Sequence, residues 1–522
     1  MAQTFEEITK GVVNRFLQNI LFIDDKAFQS DNKENEFDAG QISSAFAKNG
    51  KLCTIFAPSS ECDLCQCSSL FSKADAIVLD WYLDLASSKE SVDDEKDAEE
   101  DEPRGFYTKY LIEEIVADAK NEKLKIIVVY TGETDLRGIT QEIHSCIAQY
   151  GNFKQGDCCA YSSNVVIVVR AKYNGKEKFK YWDDLKDKVI RYENLPDFIT
   201  EEFAKHVNGL LPNFALLAIS IIRENISRIL NVYSSELDIA YLGHRMVLPN
   251  PEDAKDLLIK LFGESITDLI YSLCIDTQDW LSLWIKDRYS QPKSIRIIDG
   301  RPSIEVDQNS MANLLSSHFD DFEKYIKTVF VNLSRKEIDA LYKNAALLLS
   351  EDVGVIKKAN LLFAKLTHYK NVFLPQKENP CLTLGTVVRS SNTNIYYLCI
   401  QQRCDSLRID GERRFLFLPL VESGGETHIV LTNDKQMQVA KSSYDIKTVK
   451  FQADKEKRCV CSKRIEIGGD KKKEKIVFTS IHNEEYEWVL ELKDLHAQRI
   501  LNSYSAKLAR VGLDESEWLR ML

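Results

Sequence analysis

The chain has 522 residues, with 68 Lys and Arg against 80 Asp and Glu, for a net charge of −12. That length exceeds one ordinary hydrophobic core and calls for roughly two to four domains. The acidic balance argues against non-specific nucleic-acid binding, and a 44% apolar, 28% charged composition belongs to a globular chain rather than a disordered one. No apolar run approaches the roughly 18–20 residues needed to cross a bilayer. The N-terminus, MAQTFEEITKGVVNRF, lacks the basic-then-apolar layout of a signal peptide. The expectation is a cytoplasmic protein with neither membrane nor nucleic acid among its partners.

Phe5, Ile8, Val12, Phe16 and Leu17 recur at helical spacing, which predicts a helix feeding a first strand. That strand is Ile20–Ile23, a short apolar run closed by Asp24 and Asp25. Gln41–Lys48 reads as a crossover helix, Cys53–Phe56 as a second strand and Glu61–Phe71 as the next crossover. Ala76–Leu79 then forms a run closed by Asp80 and Trp81. Continuous apolar runs that end in a charge read as strands buried on both faces of a parallel sheet. Ligands of such sheets collect at the carboxyl ends of the strands.

Residues 87–103 form an insertion in which eight of the ten positions from Asp93 to Glu102 are acidic. Such density cannot bury a core, so it reads as a disordered, solvated loop. Its functional alternatives are a lure for a basic partner or a cover over Asp80. Tyr107–Ala119 resumes as an amphipathic helix, followed by the strand Ile126–Tyr130 with Thr131 and Gly132 at its end, and by a helix over Asp135–Tyr150. A fourth apolar run of this kind, Val165–Val169, is followed by Arg170 and Lys172.

Thirteen cysteines are scattered through these elements, as expected of free thiols in a reducing compartment. Cys62-x-x-Cys65-x-Cys67 opens with a spacing that suits zinc, and Cys158-Cys159 lie far off in sequence. No second C-x-x-C and no paired histidines follow, so a helix with incidental thiols is the reading. Cys459-x-Cys461 is a weaker signal still.

From Leu195 to about Ser290 the pattern is helical, with Leu217, Ile221, Ile222, Ile226, Ile229 and Leu230 on one broad face. Leu248-Pro249-Asn250-Pro251 breaks it. His244 beside Arg245 is either an anion-facing or phosphotransfer pair or, more simply, a helix-end histidine with structural hydrogen bonds. Ile295–Asp307 predicts a hairpin-like connector turning at Asp299-Gly300, and helical spacing returns from Ala312 to Tyr369. Asp339, Glu351 and Asp352 read as ordinary surface acids rather than metal ligands.

Past Pro375 and Pro380 the texture turns β: TLGTVVR, IYYLCIQQRC, RRFLFLPLV, HIVLT, KTVKF and KIVFTS, separated by Gly, Asn, Asp and Ser turns. A meander, sandwich or small barrel follows. Lys471-Lys472-Lys473, part of four lysines across residues 471–475, reads as a solubilising hairpin tip rather than a phosphate site. Arg403, Asp405, Arg408, Arg413 and Arg414 form no recognised catalytic constellation. A helix over Leu492–Arg510 is expected to pack back on the body. The tail carrying Trp518 and Leu519 reads as a docking peptide or a tied-down terminus.

The strand-end residues therefore come in the order Asp24-Asp25, Asp80, Thr131, Lys172, and this order resembles the receiver domain of two-component response regulators. The resemblance implies Mg²⁺ held by Asp24, Asp25, Asp80 and the backbone carbonyl of Trp81. It also implies Asp80 as the phosphoacceptor, with Thr131 and Lys172 contacting the phosphoryl oxygens. Hard cations want carboxylate oxygens, and a carboxylate nucleophile can form an acyl phosphate. Tyr173 follows Lys172 where the family has proline, and Glu133-Thr134 follow Thr131 where it has a small residue. The expected architecture is α/β: a doubly wound parallel five-stranded receiver-like sheet in residues 1–180, a helical domain in 181–375, and a mainly antiparallel β domain with a terminal helix in 376–522.

The implied partner is a histidine kinase or phosphotransfer protein, and autodephosphorylation is the most catalysis implied. The alternatives are a non-phosphorylated pseudo-receiver scaffold and a hydrolase or nuclease in the C-terminal half. No Ser-His-Asp, H-E-x-x-H, P-loop or dinucleotide fingerprint favours the latter. The segments ELDIAYLGHRMVLPNPEDA and LGTVVRSSNTNIYYLCIQQRCDSLR resemble receiver-bearing components of Detocs-type two-component phage-defence systems. That resemblance implies a phosphate sink restraining a separate effector protein.

Overall fold

In the computed structural model the described residues are 3–28, 38–85, 104–119, 124–173, 185–248, 251, 253–272, 278–296, 303–316, 322–330, 333–343, 345–350, 352–370, 379–424, 427–440, 445–467 and 470–508. The acidic insertion, the Asp299-Gly300 turn, Glu351 and the Trp518 tail lie outside them. Contacts divide the chain into two compact units, Met1–Gln291 with Asp307–Ala312, and Pro292–Val306 with Asn313–Leu522.

The first unit begins with α1 (Phe5–Phe16), β1 (Asn19–Ile23), α2 (Ala39–Lys48), β2 (Leu52–Phe56), α3 (Glu61–Phe71), β3 (Ala76–Leu79), α4 (Phe106–Ala119), β4 (Lys125–Thr131) and α5 (Leu136–Ile147). It continues through β5 (Lys154–Gly156), β6 (Cys159–Tyr161), β7 (Val165–Lys172) and β8 (Val189–Ile190), then α6 (Leu195–His206), α7 (Leu210–Glu224), α8 (Ile226–Val232), α9 (Leu237–Val247), α10 (Asp253–Ser272) and α11 (Gln278–Arg288).

Its sheet has the order β2-β1-β3-β4-β7-β6-β5, with β8 on β7. The five strands from β2 to β7 are parallel, as their apolar runs predict. The sheet is wider than those five strands. An antiparallel β5–β6 hairpin adds to its edge, and β8 pairs with the last two residues of β7. These additions, of two or three residues each, are too short to announce themselves by periodicity.

Strand alternation splits the core in two. Ile77, Leu79, Ile127, Val129, Ile167 and Val169 face α3, α4 and α5, whereas Phe22, Val78, Val128 and Val168 face α1, α2, α6 and α7. The sheet is thus doubly wound.

Local chemistry fixes how the second face is covered. Thr4 and Glu7 form a capping box, with Glu7 N donating to Thr4 Oγ1 at 3.2 Å and Thr4 N to Glu7 Oε2 at 2.8 Å. The helix so started buries Phe5, Ile8, Val12 and Val13. Asp75, at the entrance to β3, accepts from the amides of Gln18 and Asn19 at 3.0 Å each. It also takes a bidentate pair from Arg223 of α7 at 2.8 and 3.1 Å. The first helices after the receiver-like sheet are therefore pinned to it by a half-buried ion pair as well as by apolar packing. His244 is exposed near the end of α9, and Arg245 donates to the Pro251 carbonyl at 3.0 Å.

The second unit contains the hairpin β9 (Lys293–Ile295) and β10 (Ile304–Val306), while α12 (Gln308–Ser316) crosses the division between the units. Next come α13 (Phe322–Val329), α14 (Arg335–Lys343), α15 (Val353–His368), β11 (Thr386–Ser390), β12 (Tyr396–Cys399), α16 (Arg403–Ser406) and β13 (Glu412–Glu422). The last elements are β14 (Ile429–Val430), β15 (Gln436–Val439), β16 (Lys447–Gln452), β17 (Lys463–Ile467), β18 (Asp470–Thr479), β19 (Glu485–Glu491) and α17 (Asp494–Leu508). Asp352 caps α15, accepting from Gly354 N at 2.8 Å, and Asp339 is exposed.

This antiparallel sheet runs β14-β15-β13-β12-β11-β19-β18-β17, with β16 on β13. An isolated bridge joins Phe451 of β16 to Ser480, just past β18, and Ile481 N donates to Lys450 O at 3.0 Å. Through β16 the sheet curls toward a small barrel. Phe415, Phe417, Phe451, Phe478 and Tyr486 fill its interior. Ala497, Ile500 and Tyr504 of α17 cover the other face, so the terminal helix does pack back on the sheet.

Candidate functional site

Register brings the strand ends level. Ile23 pairs with Leu79, Leu79 with Val129, and Val129 with Val169. Asp24, Asp80, Tyr130 and Arg170 come one residue later on adjacent strands. The order of strands reverses between β1 and β3, the switch point at which open α/β sheets leave a crevice. Alternation then places Asp24 with Phe22, Asp80 with Val78, and Lys172 with Val168 and Arg170, all on the face of α1 and α6.

Asp24, Asp25 and Asp80 are all buried, and each offers a carboxylate oxygen within 4.8 Å of the others. Lys172 joins them: its Nζ donates to Asp24 Oδ2 at 2.9 Å and lies 3.2 Å from Asp80 Oδ2. The remaining oxygens are aimed by backbone. Lys26 N donates to Asp24 Oδ1 at 3.0 Å, Trp81 N to Asp80 Oδ1 at 2.9 Å, and Asp84 N to Asp25 Oδ2 at 3.2 Å.

Asp25 Oδ1 is buried with no hydrogen-bond partner among the described residues. A buried, orphaned carboxylate oxygen beside two further carboxylates is the donor set a hard divalent cation takes. The residues therefore fit Mg²⁺.

Three carboxylates against one ammonium make a strongly negative hollow. Burial pushes the Asp80 carboxyl up to about 6; Lys172 pulls against that shift, while Asp24 and Asp25 add to it. Asp25 is also raised, by burial first, against the opposing hydrogen bond from Asp84. For Lys172 burial alone favours the neutral amine, but Asp80 and Asp24 overcome it and hold the ammonium above its ordinary range.

Thr131 is buried at the end of β4, where its hydroxyl accepts from Glu133 N at 3.1 Å. By alternation it sits with Val129 on the opposite face from Lys172. Glu133 at the rim pairs with Arg104 at 2.8 Å. The structure thus gathers Asp24, Asp25, Asp80 and Lys172 directly. Thr131 lies on the neighbouring strand end, and Trp81 beside Asp80 is buried.

Three further residues shape the site, and reading the strand ends alone does not pick them out. Thr108 of α4 donates to the Asp80 carbonyl at 2.7 Å and fixes the turn after β3. Gly105 has φ +80, and a Cβ there would collide with the Trp81 indole. Tyr130 donates to the Ile190 carbonyl of β8 at 2.7 Å, and its ring lies 6.0 Å from Lys172 Nζ. A glycine directly after an insertion is the one mark that reading for positive φ would have caught.

Cys62 and Cys65 are exposed on α3, Cys67 is buried, and Cys158 and Cys159 lie at the β5–β6 hairpin. Among the described residues none of them joins a group of three metal-ligand side chains, whereas Cys459 and Cys461 do, with Cys381. Arg403, Asp405 and Arg413 form exposed pairs, Arg403–Asp494 at 3.4 Å and Arg413–Asp405 at 3.5 Å.

A parallel switch-point sheet with an acidic strand-end cluster and a facing lysine defines a doubly wound α/β domain with a cation-type site at its carboxyl edge. The family model for the response receiver domain matches residues 16–177, and this stretch is an N-terminal receiver domain. The chain accordingly carries, in its N-terminal part, a receiver domain of the kind found in two-component response regulators. No curated protein and no solved structure matches it. Among the described residues no helix is long and apolar enough to cross a membrane.

Proposed function

We propose that this chain is a two-component regulatory protein whose Asp80 accepts a phosphoryl group from the phosphohistidine of a partner kinase or phosphotransfer protein. The observation that carries this reading is the convergence of Lys172 Nζ on Asp24 Oδ2 at 2.9 Å and Asp80 Oδ2 at 3.2 Å beside the buried Asp25. An Asp80 oxygen forms the new O–P bond as the donor's N–P bond breaks. The electron pair returns to the imidazole, which takes a proton from solvent. With its carboxyl pushed up only to about 6, Asp80 is still largely ionised at neutral pH and available as the nucleophile.

Asp24, Asp25 and Asp80, with the Trp81 carbonyl, would hold Mg²⁺, which neutralises phosphoryl charge when bound. Lys172 keeps its proton and follows the negative charge outward from the carboxylate to the phosphoryl oxygens. Thr131 supplies a hydroxyl from the next strand end.

In this reading the other regions relay or buffer the signal. The resemblance of residues 236–254 and 384–408 to Detocs-type components supports a phosphate sink that restrains a separate effector during phage infection.

Acetyl phosphate and Mg²⁺ test the phosphoacceptor directly. Intact mass should show one added phosphoryl group in the wild type and none in Asp80→Asn. An unmodified wild type would favour the scaffold reading, and labelling that survives Asp80→Asn would move the chemistry elsewhere.

A further inference from the structure

We propose that Cys381, Cys459 and Cys461 form a zinc site in the C-terminal unit, independent of the acidic cluster. Their sulfurs make a compact triangle: Cys381–Cys459 is 3.1 Å, Cys459–Cys461 3.6 Å and Cys381–Cys461 3.7 Å. All three are free thiols at separations well beyond a disulfide bond of roughly 2.05 Å. A tetrahedral zinc holds thiolates at about 2.3 Å, which spaces them roughly 3.8 Å from one another. The two longer edges nearly meet that spacing, and the short edge needs a shift of well under an ångström.

The backbone builds this triangle. Cys381 and Cys461 form an antiparallel bridge, Leu382 N donates to Val460 O at 2.8 Å, and Ser462 N donates to Pro380 O at 3.0 Å. The Ser462 hydroxyl adds a second bond to Pro380 O at 2.9 Å. Leu382 and Val460 are buried in the barrel interior. Alternation along each segment turns the neighbouring thiols the opposite way, toward one another. Cys459 is buried, while Cys381 and Cys461 are half-buried, so one side of the triangle stays open to solvent.

Among the described residues no fourth His, Cys, Asp or Glu joins the group. Among the described residues the site is thus three thiolates, with the fourth position open to water. Soft sulfur donors select zinc over magnesium, which keeps this site chemically distinct from the carboxylates of the receiver domain. Zinc here ties the segment entering β11 to the segment entering β17, a connection 78 residues long between Cys381 and Cys459.

The test uses the full-length protein, purified with reductant and assayed for metal by elemental mass spectrometry. One equivalent of zinc is expected, retained in Cys404→Ser and lost in Cys381→Ser combined with Cys461→Ser. Chelation followed by Co²⁺ titration of the wild type should give a sulfur-to-cobalt charge-transfer band with tetrahedral d–d bands, a signature carboxylates cannot produce. This readout does not depend on any variant folding. Absence of that band in reduced wild-type protein overturns the proposal. So does zinc that persists in the double variant, or a Cys381–Cys459 disulfide in protein that takes up no metal once reduced.

Discussion

Lys172 Nζ and Asp80 Oδ2 lie 3.2 Å apart at the carboxyl ends of β7 and β3, both residues buried. A single ammonium thus serves two carboxylates, Asp24 and Asp80. Removing one partner of a buried pair leaves an uncompensated charge, which costs about 3–5 kcal/mol. Lys172→Met should lower the stability of the N-terminal unit by that order in metal-free buffer, measured by urea unfolding. Added Mg²⁺ should recover part of the loss. A variant as stable as the wild type without metal would show that Lys172 does not neutralise the cluster.

Asp80→Asn should behave in the opposite sense. Its carboxyl is held above the usual range by burial and by Asp24 and Asp25, so ionising it opposes folding. In metal-free buffer at neutral pH the amide variant should melt at or above the wild-type temperature. A drop of more than about 1 kcal/mol would mean that the Lys172 contact outweighs the desolvation of the carboxylate.

Gly105→Ala tests the support behind the acidic turn. The glycine sits at φ +80 against the Trp81 indole, so a methyl group brings both backbone strain and a collision. Strain of roughly 1 kcal/mol and overpacking of about 1–3 kcal/mol should add to a clear loss of stability. Trp81 emission should shift as its ring is displaced. Unchanged stability and emission would show that the indole relocates freely.

The C-terminal unit should lose stability in mild acid. His368 of α15 stacks on His496 of α17 with ring centroids 3.8 Å apart. Burial lowers the His368 pKa to about 4, and His496, Arg499 and Lys493 add to that shift. His496 is lowered as well, by burial first, although the His428 carbonyl 2.8 Å from its Nε2 opposes this.

Between about pH 6.5 and about 4 the unfolded chain binds more protons at His368, so stability falls as pH falls through that window. After allowing for the solvent that reaches the pair, the loss is on the order of 1–2 kcal/mol. Thermal melts across that range should show it, and His368→Gln should flatten the profile. An equally steep profile in the variant would place the proton uptake elsewhere.

The apolar runs before Asp24, Asp80 and Thr131 needed nothing but local sequence to be read as buried parallel strands. A run with no polar alternation has only one stable environment, the middle layer of a sheet covered on both faces. The residues that end such runs are forced to the sheet's carboxyl edge, which is why the acidic cluster was legible. The end of β7 was less so: Lys172 is a strand residue because Ile190, far along the chain, pairs with it. The strands β15, β17 and β19 were missed for a related reason. Their sequences mix polar or charged residues with apolar ones, and only their pairing within the sheet fixes them as strands.

Sequence by itself determined the strand cores, the helices with clear periodicity and the identity of the strand-end groups, because each depends on a residue's near neighbours. Tertiary structure alone decided the distances among Asp24, Asp80 and Lys172 and the meeting of Cys381 with Cys459 and Cys461. Those groups are far apart in the chain, and only strand order, register and chain crossing bring their side chains within bonding reach.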